Sequence, residues 1–159
     1  VSMINDYGEN FYSEIHNGAL ITAGSIDKYN SMTIGWGTFG CLWSKKVFIA
    51  YVKPCRYTYE FLNDNEYFTV SFYDEKYNKA LGYFGSHSGR DVDKAKETGL
   101  TPISVKGLSV SFKEAKKTIL LKKIYVQDLD INNIPKEVID RYYLTEAPHR
   151  IYVGEVVEE

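Results

Sequence analysis

The sequence predicts a mainly β protein with short inserted helices, its strands forming an antiparallel barrel. Three observations carry that expectation. Apolar or alternating segments recur at hairpin spacing along the chain. Short stretches with helix-capping residues interrupt them. Strict strand–helix–strand alternation is absent after residue 100, which argues against a doubly wound parallel sheet. The 159 residues fit one domain, 1–159, with residues 1–18 as a lead-in segment.

The elements follow in order. Residues 19–23 read as a first strand and 27–30 as turn chemistry. Residues 32–42 read as one long strand weakened by glycines. Residues 47–52 are nearly all apolar, so that strand is expected to be buried on both faces or to lie at a subunit contact. Pro54 ends it, and Thr58 or a near neighbour caps a short helix through Leu62. Residues 66–73 alternate as a strand does, and 76–84 are helical. Asp91 is expected to cap a further helix through Lys96, which Gly99 stops. Residues 108–112 and 118–127 return to strand, 128–133 turn, 135–143 form a helix opened by Pro135, and 151–157 close the sheet.

Gly35, Gly37 and Gly40 match a G-x-G-x-x-G spacing, which marks a dinucleotide-binding turn when a strand precedes it and a helix follows. Here a polar triplet, Ser44-Lys45-Lys46, and a second apolar strand follow. The glycines are therefore expected to serve close approach by a ligand or another backbone.

Composition narrows the function. With 19 basic and 21 acidic residues the formal charge is −2, which disfavours a nucleic-acid binder. The pairs Lys116-Lys117 and Lys122-Lys123 read as solvent-facing strand ends. No apolar run approaches the roughly eighteen residues a membrane helix needs, and residues 1–6 lack the pattern of a secretion signal. Two cysteines, Cys41 and Cys55, make neither a disulfide framework nor a zinc set. They are expected to be reduced thiols in the cytoplasm, Cys41 buried. Aromatics reach 15%, with 14 Tyr, which fits either strand packing or a platform for a flat ligand. No hydrolase or kinase motif is present, and no metal set is expected.

Four segments in order carry a resemblance: residues 30–37, 53–58, 88–94 and 150–156. They are Asn30-Ser31-Met32-Thr33-Ile34-Gly35-Trp36-Gly37, Lys53-Pro54-Cys55-Arg56-Tyr57-Thr58, Ser88-Gly89-Arg90-Asp91-Val92-Asp93-Lys94, and the last strand from Arg150. Together they resemble the flavin reductase family with the FMN-binding split barrel, over about residues 18–157. The resemblance implies a Greek-key split β-barrel, FMN as cofactor, a homodimer, and NADH or NADPH as a substrate.

It also implies roles. Arg56, Tyr57 and Thr58 would meet the FMN phosphate; a helix cap with a surface arginine is the plainer local reading. Ser88 and Lys94 would add phosphate contacts, in a loop that otherwise caps a helix. Asn30, Met32, Thr33, Ile34, Gly35 and Trp36 would run past the ring, Thr33 as its hydroxyl donor, with room made by Gly35 and Gly37. Trp36 would wall the ring, line a dimer seam or pack the core. His149 is the acid–base candidate, against an ordinary structural histidine. Ser71 stands where similar chains often carry Asn, which leaves acceptor specificity open. The leading expectation is a flavin reductase-like enzyme moving electrons from a reduced nicotinamide cofactor, or another donor, to flavin or a small acceptor. The alternatives are a flavoredoxin-like electron carrier with a protein redox partner and no nicotinamide site, and a barrel module without flavin.

Overall fold

The computed structural model describes residues 9–159; residues 1–8 of the expected lead-in lie outside the described residues. The chain runs α1 (Glu9–His16), β1 (Ala19–Ser25), β2 (Lys28–Ile34), β3 (Gly37–Leu42), β4 (Lys45–Val52), α2 (Tyr57–Asp64) and β5 (Tyr67–Phe72). It continues with a 3-10 turn at Glu75–Tyr77, then α3 (Asn78–Ser86), α4 (Lys94–Thr98), β6 (Pro102–Val105) and β7 (Ser109–Phe112). β8 (Lys117–Asp128), a 3-10 turn at Ile131–Asn133, α5 (Lys136–Tyr142) and β9 (Arg150–Glu158) complete it.

Seven strands form one antiparallel sheet in the order β2-β1-β5-β8-β9-β4-β3. Its two edge strands, β2 and β3, are consecutive in the chain and joined by only Gly35 and Trp36. The sheet therefore curls back on itself around one core with its seam between β2 and β3, the split barrel that was expected. Phe48, Phe68, Phe72, Ile119, Leu121 and Tyr152 are fully or almost fully buried inside it. A β6–β7 hairpin makes a second, two-stranded sheet against β1 and β5.

That second layer explains why β1 and β5 are buried on both faces, although β5 alternates polar and apolar residues. Ile21 faces the barrel core, whereas Leu20 packs outward with Leu81, Phe84, Leu100 and Phe112. The layers also meet through hydroxyls. Thr69 donates to the Val110 carbonyl at 2.6 Å, Ser109 to the Thr22 carbonyl at 3.4 Å, and Ser111 and Thr118 share a 2.8 Å bond. Each buried hydroxyl is thereby satisfied where leaving it unpaired would cost stability.

Several expectations need correction. The lead-in contains α1, whose Ile15 enters the core. The 27–30 turn shrinks to Ile26 and Asp27, because Lys28, Tyr29 and Asn30 pair with Ser25, Gly24 and Ala23. The long 32–42 strand is two strands: Ile34 ends the pairing with β1, and Gly37 begins pairing with Ala50 of β4. Side-chain alternation continues across the link, so periodicity alone does not reveal it. Thr58 is not a cap but an internal, fully buried residue of α2, with Arg56 at the cap position. Asp93, not Asp91, caps α4, accepting from the Lys96 amide at 3.2 Å. β6 was not anticipated at all.

β4 is buried at Val47, Phe48, Ala50 and Val52, with Ile49 and Tyr51 only half-buried. Cys41 is exposed, because β3 is an edge strand and its side chain faces out. Lys123 is not solvent-facing: its Nζ donates to the carbonyls of Leu62 and Asn63, at 2.6 and 3.2 Å, and so closes the C-terminal turn of α2. The β3–β4 turn places Trp43 and Ser44 at φ 54° and 60°, a left-handed pair that matches the twist of a tight hairpin.

Gly154 of β9 packs where no side chain fits. A Cβ there would lie 2.8 Å from both Leu121 Cβ and Phe68 Cζ. Gly154→Ala should therefore destabilise the fold by about 2 kcal/mol, the scale of core overpacking. Urea denaturation should show a lower midpoint with an unchanged slope.

Candidate functional site

The seam of the barrel is where chemistry collects. The chain leaves β4 at Val52, and the Arg56 amide bonds back to the Lys53 carbonyl at 3.1 Å, which turns the chain into α2. Arg56 is extended at the helix start and makes no side-chain cap bond. The amides of Tyr57 and Thr58 therefore have no intrahelical acceptor, whereas that of Tyr59 bonds the Arg56 carbonyl at 3.1 Å, and the helix dipole makes that end favourable for an anion. The Arg56 guanidinium reaches across to the Gly85 carbonyl at 3.3 Å, near the end of α3. Thr58 Oγ accepts from Asn30 Nδ2 at 2.7 Å, which leaves its own proton without an acceptor among the described residues.

Opposite Arg56 stands the loop after α3. Ser88 Oγ accepts from the Arg90 amide at 3.1 Å. Gly89 is required here, since a Cβ would sit 2.0 Å from Asn30 Oδ1 and 3.2 Å from the Tyr57 ring. Arg90 pairs closely with Glu60 and lies 4.6 Å over the Tyr57 ring. Lys94, at the first position of α4, is buried at 6% exposure. Its Nζ donates to the carbonyls of Ser31 and Phe84 at 2.9 and 2.8 Å. Burial first, and the nearby Arg56 second, push its pKa down to about 8.

Asn30, Met32, Arg56, Tyr57, Thr58, Ser88 and Lys94 together line a cavity of about 240 Å³. Three cations (Arg56, Arg90 and Lys94), free helix amides and hydroxyls converge on it. A second cavity of about 310 Å³ adjoins it, sharing Met32 and Arg56, and is lined further by Thr33, Ile34, Gly35, Trp36, Tyr51, Lys53, Tyr142 and His149. Every residue to which the resemblance assigns a contact, Gly37 apart, thus lines one of two abutting spaces. A third and larger space of about 470 Å³ lies beyond Lys94, toward Asp27 and Asp93.

The details differ from expectation in three places. Thr33 donates its hydroxyl proton to the Leu81 carbonyl, so it is not free to donate to a ligand. Gly37 makes no room for a ligand; a Cβ there would lie 2.4 Å from Phe48 Cζ, and that space belongs to the core. Gly35 does face open space. Trp36 is 45% exposed, which excludes the core-packing reading; its indole meets Tyr142 edge-on at 5.2 Å and His149 at 5.1 Å.

His149 is buried at the end of the second cavity. Its Nδ1 lies 2.7 Å from the Tyr143 hydroxyl. Burial, then the Lys53 charge, push its pKa down to about 4, partly opposed by Glu146. Lys53 pairs with Glu146 at 2.8 Å and donates to the Tyr142 carbonyl at 3.3 Å. Cys55 is exposed and its thiol donates to Glu146 at 3.7 Å. Lys53, Tyr51, Tyr142, Tyr143 and Glu146 escaped sequence reasoning. The aromatic pair at the end of α5 was the one local signal for them. Gly37 and Gly40 lie within β3, and β4 follows rather than a helix, so a dinucleotide-binding turn is excluded there.

The chain belongs to the family described as flavin reductase like domain, whose model matches residues 12–158. Comparison with curated protein sequences gives no match. Among solved structures, it resembles an FMN-binding protein from Thermus thermophilus with bound 1-cyclohex-2-enone, at 21% identity and TM-score 0.70, covering 89% of this chain and 67% of that one. A flavoredoxin from Methanosarcina acetivorans aligns at 20% identity and TM-score 0.71, over 89% and 66% of the two chains. The NADH:FAD oxidoreductase SgcE6 of Streptomyces globisporus C-1027 aligns at 16% identity and TM-score 0.66, over 89% and 73%. This chain spans about two-thirds of the length of the first two. These likenesses establish the fold.

Lys94 should leave a signature in stability against pH. Between about pH 8 and its ordinary range, the unfolded chain keeps a proton that folded Lys94 has released. Stability contributed by this group therefore rises with pH over that window. The buried Tyr73 and Tyr152, whose pKa values are raised, act with the opposite sign above about pH 10. Denaturation from pH 7.5 to 9.5 should show a steeper rise in the wild type than in Lys94→Met, where Lys123, also lowered by burial, still contributes.

Proposed function

We propose that the protein binds FMN and acts as a flavin reductase-like oxidoreductase, with a reduced nicotinamide cofactor as electron donor and flavin or a small molecule as acceptor. One observation carries this reading. A cation-lined, donor-rich cavity abuts an aromatic-walled one, and Arg56 and Met32 belong to both. FMN joins a dianionic phosphate to a flat ring, so it needs such a pair of spaces side by side. The free Thr58 hydroxyl proton and the uncapped start of α2 fit a phosphate in the first.

When bound, the flavin supplies the hydride and electron chemistry; the protein binds, orients and tunes it. Arg56, Lys94, Thr58 and Ser88 hold the phosphate, with Asn30 and Tyr57 shaping its walls. Met32, Ile34, Gly35 and Trp36 flank the ring, and Thr33 braces β2 against α3. His149 faces the ring space from just before β9. Similarity to an FMN-binding protein and to an NADH:FAD oxidoreductase supports cofactor and donor. Similarity to a flavoredoxin favours a second reading, an electron carrier with a protein partner. The two exposed free thiols fit the cytoplasm, and exposed Trp36, Trp43 and Leu144 fit a homodimer seam.

Purified protein should take up added FMN with a shifted visible spectrum, and NADH or NADPH should then bleach it. Bleaching absent at saturating donor would favour the carrier, and an unchanged spectrum on adding FMN would end the flavin reading. Arg56→Ala should weaken FMN binding by about 2 kcal/mol, the scale of a hydrogen bond to a charged group, or roughly 30-fold in dissociation constant. An unaltered constant would remove Arg56 from the site.

A further inference from the structure

The contact between Tyr143 and His149 determines more than a ring orientation. Both side chains are buried, and the phenol oxygen lies 2.7 Å from Nδ1. The phenol has no other hydrogen-bond partner among the described residues. If it accepted from a protonated Nδ1, its own proton would be buried without an acceptor, which is unfavourable. The phenol therefore donates and Nδ1 accepts. A neutral imidazole then carries its single proton on Nε2.

Nε2 has no partner within the described protein, yet no sealed side-chain nitrogen or oxygen lacks one. Nε2 is therefore accessible, and the cavity that His149 lines is the one walled by Trp36, Tyr51 and Tyr142. Burial first, and the Lys53 charge second, hold the ring neutral. Lys53 and Arg56 line the same cavity, and Lys53 also lies 5.7 Å over the Tyr143 ring. Glu146 offsets them only in part, since it is bound to Lys53 and accepts from Cys55. A third cation beside Lys53 and Arg56 would be repelled.

We propose that Tyr143 is a positioning residue that locks His149 as the neutral Nε2–H tautomer, a fixed donor for a carbonyl oxygen or unprotonated ring nitrogen of a flat ligand in the second cavity. His149 thus recognises an acceptor edge and does not deliver a proton. No covalent or redox step is involved. The identity of the ligand as flavin rests on the function proposed above; the tautomer does not.

Nitrogen-15 NMR of the ligand-free protein reads the tautomer directly. The wild type should show His149 with bare Nδ1 and protonated Nε2 from about pH 5 to 8, consistent with its lowered pKa. Tyr143→Phe should release the proton to both nitrogens and raise the protonation midpoint, neither of which simple loosening of packing predicts. A wild-type proton on Nδ1, or an ionised ring at pH 7, would overturn the proposal, and that spectrum decides it even if the variant fails to fold. FMN titration is the second arm. Tyr143→Phe should raise the dissociation constant about three- to tenfold, the scale of one neutral hydrogen bond, and an altered tautomer with unchanged FMN affinity would overturn the recognition step. Wild type that binds no FMN would instead defeat the functional reading, while the NMR result would still decide the tautomer.

Discussion

A single buried ammonium organises the half of the molecule that holds the cavities. Lys94 reaches in from α4 to the Ser31 carbonyl of β2 and the Phe84 carbonyl of α3. Those two bonds join three elements that have no continuous ladder between them. A buried lysine is unfavourable unless its protons are used, so the contact enforces one arrangement of α3, α4 and the barrel edge. The same nitrogen stands between the small donor-rich cavity and the larger one beyond it. Structural and electrostatic roles therefore coincide in one side chain.

The cavities exist because the barrel is split. β2 and β3 part at Gly35 and Trp36, and the ends of β4 and β9 bring Lys53 and His149 to the same opening. A closed barrel would have filled that position with strand pairing. Around the gap, polar groups are tied in from several directions: Thr33 to α3, Asn30 to α2, Tyr143 to His149. The opening is thus lined by side chains whose rotamers are held by second partners, the condition for a pre-organised site.

Much of this was legible in the chain and some was not, for identifiable reasons. β8 and β9 announce themselves by length and apolar content, and Gly99 ends α4 in the left-handed conformation as glycine allows. The β2–β3 break is silent, since two residues do not disturb a period of two. β6 hides because Ile103 is exposed and Pro102 disguises a strand start. Cys41 looks like a core residue on a strand until its strand proves to be an edge. The residues of the two cavities were found through four dispersed motifs. Lys53, Tyr143 and Glu146 were given no role, because what they do depends on the end of α5 and the loop after it returning beside Lys53, an approach no local pattern encodes.

The hydroxyl contacts between the main sheet and the β6–β7 hairpin carry one more consequence. Thr69, Ser109 and Ser111 point into an otherwise oily layer, each aimed at one particular oxygen. Grease alone would tolerate the hairpin sliding along its neighbour. Sliding by one residue would strand these groups among methyls, so they act as dowels that define the alignment of the two layers. A misaligned hairpin is thereby penalised relative to the native register.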